Sequence, residues 1–146
     1  MAKAFGGTVV HDLNRAEIGT LEVQLTAAGL NDPVFGPLGD RFYVPIGHED
    51  TVTSLPENCT LIGRTELAFQ ILRFDDAPIY GTQFHPELTL ESYLARVRRY
   101  PKYVKKIIGL SYEEFAATCH DTPQMRSILP GFVNWALEGK STWIKQ

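Results

Sequence analysis

The order of its segments constrains this chain most. Strand patterns crowd the first 85 residues, and helix patterns fill the rest. Thr8-Val9-Val10 follows a glycine pair. Ile18 to Leu25 alternates apolar and polar at Leu21, Val23 and Leu25, the signature of a half-buried strand. Arg41 to Ile46 is rich in β-formers and runs into Gly47-His48. Thr60 to Gly63 and Leu67 to Leu72 add two more strands, and Asp75-Asp76-Ala77-Pro78 is a turn. Ile79 to Phe84 is mostly apolar and predicts a central strand covered on both faces.

The helices come late. Thr89 is placed to cap a helix whose Leu90, Tyr93, Leu94 and Val97 share one face. Ser111-Tyr112-Glu113-Glu114 is a capping box opening a second. Thr122-Pro123 opens a third, with Pro130 expected to kink it or divide it in two. Ile128, Leu129, Phe132, Trp135 and Ala136 supply its apolar face. So few helices cannot cover a central sheet on both sides. Ala2 to Phe5, stopped by Gly6, looks like the last turn of a longer helix. The expectation is one incomplete domain over residues 1–146, completed by residues upstream of Met1 or by another chain.

Composition narrows the function. With 44% hydrophobic residues, 21% charged and a net charge of −3, the chain matches a globular unit and gives no support for nucleic-acid binding. Its two cysteines, Cys59 and Cys119, form no CxxC pair, which fits a reducing cytoplasm. No apolar run approaches the roughly 20 residues that span a bilayer, and the first residues lack a signal-peptide apolar region.

The chemistry concentrates in Gly81-Thr82-Gln83-Phe84-His85-Pro86-Glu87. Pro86 keeps His85 extended. On an extended segment His85 and Glu87 project to one side, so the carboxylate can hold one imidazole nitrogen and leave the other as a base. A base held this way activates a thiol or hydroxyl for attack on an acyl carbon. Taken alone, the tripeptide also fits a His-Pro turn beside a helix. No paired metal-ligand spacing links His11, His48, His85 and Glu87, so neither a metal nor another cofactor is expected. The basic run Arg96, Arg98, Arg99, Lys102, Lys105, Lys106, interleaved with Tyr100 and Tyr103, reads as a solvated helix face.

The segment Gly81 to Glu87 resembles the signature of the class I glutamine amidotransferases. A second match is His48-Glu49-Asp50-Thr51-Val52 followed by Leu55-Pro56, a loop that in this family lies beside the glutamine pocket. The likeness covers residues 2 to about 90 and is close to the stand-alone, GMP-synthase-like members. It implies an α/β, flavodoxin-like fold, present in part, with strands first and helices at the C-terminus. It implies glutamine as substrate, hydrolysed to glutamate and ammonia by a Cys–His–Glu triad. His85 would serve as base and Glu87 would orient it, while backbone around Gly47, His48 and Glu49 would hold the glutamine. His48 fits equally well as a structural histidine satisfying its own loop.

One departure matters. The family's nucleophile sits in a G-x-C-x-G-x-Q elbow, and no such segment occurs here. The family pattern after the elbow ends like Ala2-Lys3-Ala4-Phe5-Gly6-Gly7, so the missing cysteine is expected just upstream of Met1. Cys59 lacks flanking glycines, and Cys119 neighbours His120 in sequence without facing it on a helix. The chain alone is therefore expected to be inactive. Other readings are a binding or regulatory remnant paired with a partner, a split enzyme with the cysteine on another chain, and a γ-glutamyl hydrolase-like enzyme.

Overall fold

A computed structural model describes residues 1–138; residues 139–146, the end of the expected single domain, lie outside the described residues. The architecture is mixed α/β, strands first and helices last. Among the described residues there are seven strands: β1 Thr8–His11, β2 Glu17–Leu25, β3 Arg41–His48, β4 Asp50–Ser54, β5 Cys59–Arg64, β6 Phe69–Phe74 and β7 Ile79–Thr82. The helices are α1 Ala27–Leu30, α2 Leu90–Val97, α3 Pro101–Ile108, α4 Tyr112–Thr118 and α5 Ile128–Glu138. Short 3-10 turns occupy Ala2–Phe5, Leu13–Arg15, Gly36–Leu38 and Pro123–Ser127.

Five strands form one sheet in the order β3-β2-β5-β6-β7, and every adjacent pair is antiparallel. The sheet curls until its ends meet. Phe84, just past β7, bridges to Ile46 on β3, and the His85 N–H donates to the Pro45 carbonyl at 3.0 Å. Val23, Val44, Ile46, Ile62 and Ile71 fill the inside of the curl with no exposed surface, and Met125 and Ile128 close it from the C-terminal end. At roughly 25 cal/mol per Å² of apolar area removed from water, this interior is the main source of stability. Gly29 lets α1 lie against β5, because an added Cβ would collide with the Ile62 carbonyl oxygen.

On the other face of β2, Ile18 packs with Tyr93, Val97, Val104 and Phe115 of α2, α3 and α4. Two of the three expected N-caps form. Thr89 and Ser92 cap each other reciprocally, as do Ser111 and Glu114. Gly6 stops the opening turn at φ 92, as its position predicted.

Several expectations need correction. Ile79 to Phe84 is not a central strand: β7 ends at Thr82, lies last in the sheet order and is half-buried throughout. Its core-facing Tyr80 meets Phe35, Phe132 and Trp135, while Gly81 lies under the Met1 side chain. The segment after His48 is a strand, not a loop, because β4 pairs antiparallel with β1. The fifth expected strand starts two residues late, since Thr65 closes a turn by accepting the Ala68 N–H on its hydroxyl at 3.0 Å. Thr122 makes no side-chain cap, and a 3-10 turn precedes α5, which begins two residues before Pro130. Leu129 is 48% exposed rather than packed. The basic run is divided between α2 and α3, with Pro101 at the first position of α3, where its missing N–H costs nothing.

Candidate active site

His85 is held by the closure of the curl. Gln83 donates its N–H to the Gln70 carbonyl at 3.0 Å, and His85 donates to Pro45. Phe84 between them is 2% exposed and anchors the segment in the core. The chain then turns, Leu88 N–H reaching the His85 carbonyl at 3.2 Å, and enters α2 at the Thr89 cap.

In this frame His85 Nδ1 donates to Glu87 Oε1 at 2.8 Å. The side chains are 32% and 49% exposed. An ion pair this exposed contributes about 0–1 kcal/mol, so its consequence is orientation rather than stability. It fixes the tautomer and leaves Nε2 without a hydrogen-bond partner among the described residues.

His85 lines a cavity of about 260 Å³ together with Gly47 and Ile18. Helices α2 and α3 supply the opposite wall through Tyr93, Arg96, Val97, Tyr100 and Tyr103. Tyr93 fastens this wall to the sheet, donating to the Ile46 carbonyl at 2.6 Å and accepting the Gly19 N–H at 2.9 Å. Burial pushes its phenol well above the usual range. Burial also pushes the Tyr103 phenol up to about 12, with the charges of Glu49 and Asp50 adding to it.

Of the residues expected to bind substrate, Gly47 lines the cavity. His48 faces the other way. The β2–β3 register sets Glu17 opposite His48 and Ile18 opposite Gly47, and alternation sends the two pairs to opposite faces. The buried His48 Nε2 lies 3.1 Å from Glu17 Oε2, so its partner is across the sheet rather than in its own loop. That carboxylate oxygen also accepts from Thr65 Oγ1 at 2.9 Å and Gln70 Nε2 at 2.8 Å. His48 Nδ1, Gln70 Oε1 and Thr51 Oγ1 are buried without partners among the described residues. Glu49 is not among the residues lining the cavity: its carboxylate is taken by Lys106 Nζ, 2.8 Å from both oxygens, and its carbonyl accepts the Asp12 N–H at 3.2 Å. His11 braces the same segment, 3.0 Å from Asp50 and 3.5 Å from Glu49.

Neither cysteine lines the cavity. Burial pushes both thiols up, away from the thiolate form that attacks carbonyls. His120 does not pair with Cys119; its ring lies edge-on to Tyr43 at 4.8 Å. Among the described residues no group of three or more His, Cys, Asp or Glu is placed to hold a metal, and no helix is long and apolar enough to cross a membrane.

The tyrosine and arginine wall was not assigned to the site from sequence. Its signal was present, since Tyr93, Arg96, Val97 and Tyr100 fall at helical spacing, but the run carried more charge than apolar surface and read as a solvent face.

The chain matches the sequence model of the family described as glutamine amidotransferase class-I over residues 1–98. It is 37% identical over 109 residues to a glutamine-hydrolyzing GMP synthase of Thermosipho melanesiensis, an alignment covering 67% of this chain and 20% of that protein. It is 31% identical over 94 residues to one subunit of the glutamine-hydrolyzing GMP synthase of Methanopyrus kandleri, covering 64% and 49%. Thus it spans about half the length of the Methanopyrus relative and a fifth of the longer one. A glutamine amidotransferase structure from Thermotoga maritima superposes with a TM-score of 0.73 at 24% identity, covering 94% of this chain and 57% of that one. One from Methylobacillus flagellatus gives 0.61 at 24%, covering 99% and 57%. At these identities the structural likeness establishes the fold.

Proposed function

The chain belongs to the class I glutamine amidotransferases, and from that premise we propose that His85 and Glu87 form the proton-transfer part of a site that hydrolyses glutamine to glutamate and ammonia. One observation carries the reading. His85 is held by Glu87 at 2.8 Å, with its second nitrogen unpaired, on the wall of a cavity. A cysteine thiol gives its proton to His85 Nε2 and attacks the glutamine side-chain amide. The imidazolium, stabilised by Glu87, then protonates the departing ammonia. Water, deprotonated by the same nitrogen, cleaves the thioester and releases glutamate. Backbone groups of Gly47 hold the glutamine.

The thiol is the part these residues lack. Cys59 and Cys119 are raised in pKa by burial and lie off the cavity. The nucleophile belongs to polypeptide outside the 146 residues, of the same chain or of another. Relatives named as single subunits of a GMP synthase support a partner that consumes the ammonia. Two free cysteines fit a cytoplasmic setting within the same proposal.

Residues 1–146 alone are expected to release no ammonia from glutamine. Thiol-dependent turnover, or labelling of Cys59 or Cys119 by a glutamine-mimicking electrophile, would overturn this. The intact mass of the native protein should exceed 16.4 kDa if the nucleophile is on the same polypeptide. A mass of 16.4 kDa with no associated cysteine-bearing partner would count against the whole reading.

A further inference from the structure

We propose that the cavity beside His85 binds a small planar aromatic carboxylate, with Arg96 holding the acid group and the tyrosines flanking the ring. The inference rests on the reading of His85 as the group that protonates a leaving nitrogen. With glutamine held from the Gly47 end and only ammonia leaving it, the aromatic end of the cavity is left for another guest. The cavity has a volume of about 260 Å³, just below the usual range of drug-sized sites and so sized for a small guest.

Its walls are apolar and aromatic: Ile18, Val97, Tyr93, Tyr100 and Tyr103. Three aromatic rings around one space favour a flat, polarisable guest that packs by offset or edge contacts. Among the described lining side chains the one fixed charge is Arg96, whose guanidinium makes no hydrogen bond or ion pair with a described residue. A guanidinium with its donors free is suited to a carboxylate, which it can grip through two parallel hydrogen bonds.

The surroundings favour an anion too. Residues 90–108 carry Arg96, Arg98, Arg99, Lys102, Lys105 and Lys106 against the single acid Glu91, in a chain of net charge −3. The carboxylates nearest Tyr103 are already engaged, Glu49 by Lys106 and Asp50 by His11. Two residues of this wall, Tyr100 and Tyr103, lie beyond residue 98, where the family match ends. These two rings are therefore suited to set what this chain accepts.

Two sources share this chemistry: the amine end of a γ-glutamyl arylamide, and a free aromatic acid. The test is equilibrium dialysis of residues 1–146 with 5-amino-2-nitrobenzoate, followed by its visible absorbance, against 4-nitroaniline, which lacks the carboxylate. We expect saturable one-to-one binding of the acid, about tenfold or more tighter than the neutral amine, the scale of one charge-assisted pair. Arg96→Gln should remove that preference and leave 4-nitroaniline unchanged. Tyr100→Ala, at a 63% exposed position that folding tolerates, should weaken both, and Arg99→Gln should change neither.

The γ-glutamyl conjugate of 5-amino-2-nitrobenzoate separates the sources. Tighter binding than the free acid assigns the cavity to the amine end of an amide substrate, and equal binding assigns it to a free acid. No saturable binding, or equal affinity for the two probes in the wild-type chain, overturns the proposal. Because no turnover is measured, that outcome leaves the glutaminase reading standing, and loss of glutaminase activity leaves this one standing.

Discussion

Two of the molecule's histidine–carboxylate pairs are opposites in all but composition. His85 and Glu87 are two residues apart, partly exposed and joined by one hydrogen bond, with the far nitrogen of the ring open. His48 and Glu17 are 31 residues apart, 8% and 5% exposed, and share their carboxylate with Thr65 and Gln70. The same chemical pair does different work because water reaches one and not the other. The first stands where solvent can reach the open nitrogen. The second is closed off from water, its carboxylate held from three sides. That second pair is one end of the β2–β3 register, and the register presents Gly47 and Ile18 to the cavity.

The comparison breaks most easily at Glu17. Glu17→Ala leaves His48, Thr65 and Gln70 buried without their shared acceptor, and should cost roughly 3–5 kcal/mol by urea unfolding. Tyr93→Phe comes next. It leaves the buried Gly19 N–H and Ile46 carbonyl unpaired, at about 1–3 kcal/mol. Glu87→Ala should cost under about 1 kcal/mol in the same experiment. A loss at Glu87 equal to that at Glu17 would erase the distinction between the pairs.

Alkaline pH gives a smaller effect. The Tyr103 phenol is raised in the folded state, from near 10 to about 12. Folding therefore favours its protonated form. That contribution is complete below about pH 10 and is lost as pH rises from about 10 to 12. Tyr103→Phe should flatten the fall in stability across this window, measured as melting temperature against pH. An unchanged slope would show that Tyr103 is more open to water than the cavity geometry implies.

Local features of the chain were largely legible in sequence. Alternation at Leu21, Val23 and Leu25 marked β2, and the caps at Thr89 and Ser111 marked α2 and α4. The His85–Glu87 contact followed from Pro86 and a spacing of two. What was hidden depends on distant partners. β4 became a strand because β1 pairs with it, far away in sequence. An apparently central strand is an edge one because, among the described residues, β7 pairs only with β6, and the distant Ile46 meets the chain only past its end, at Phe84. Pro101 reads equally as a helix breaker or a helix start, so the break between α2 and α3 was not visible. Neither was the cavity between them. The partner of His48 was equally out of reach, since it requires the β2–β3 register rather than any local motif.

The most direct test is ammonia release from glutamine by the complete cysteine-bearing polypeptide or complex that contains these residues. His85→Ala should lower kcat at least about a hundredfold, the worth of a general acid–base group. Glu87→Gln should lower it less, without loss of glutamine binding. Unchanged kcat in His85→Ala would contradict the account.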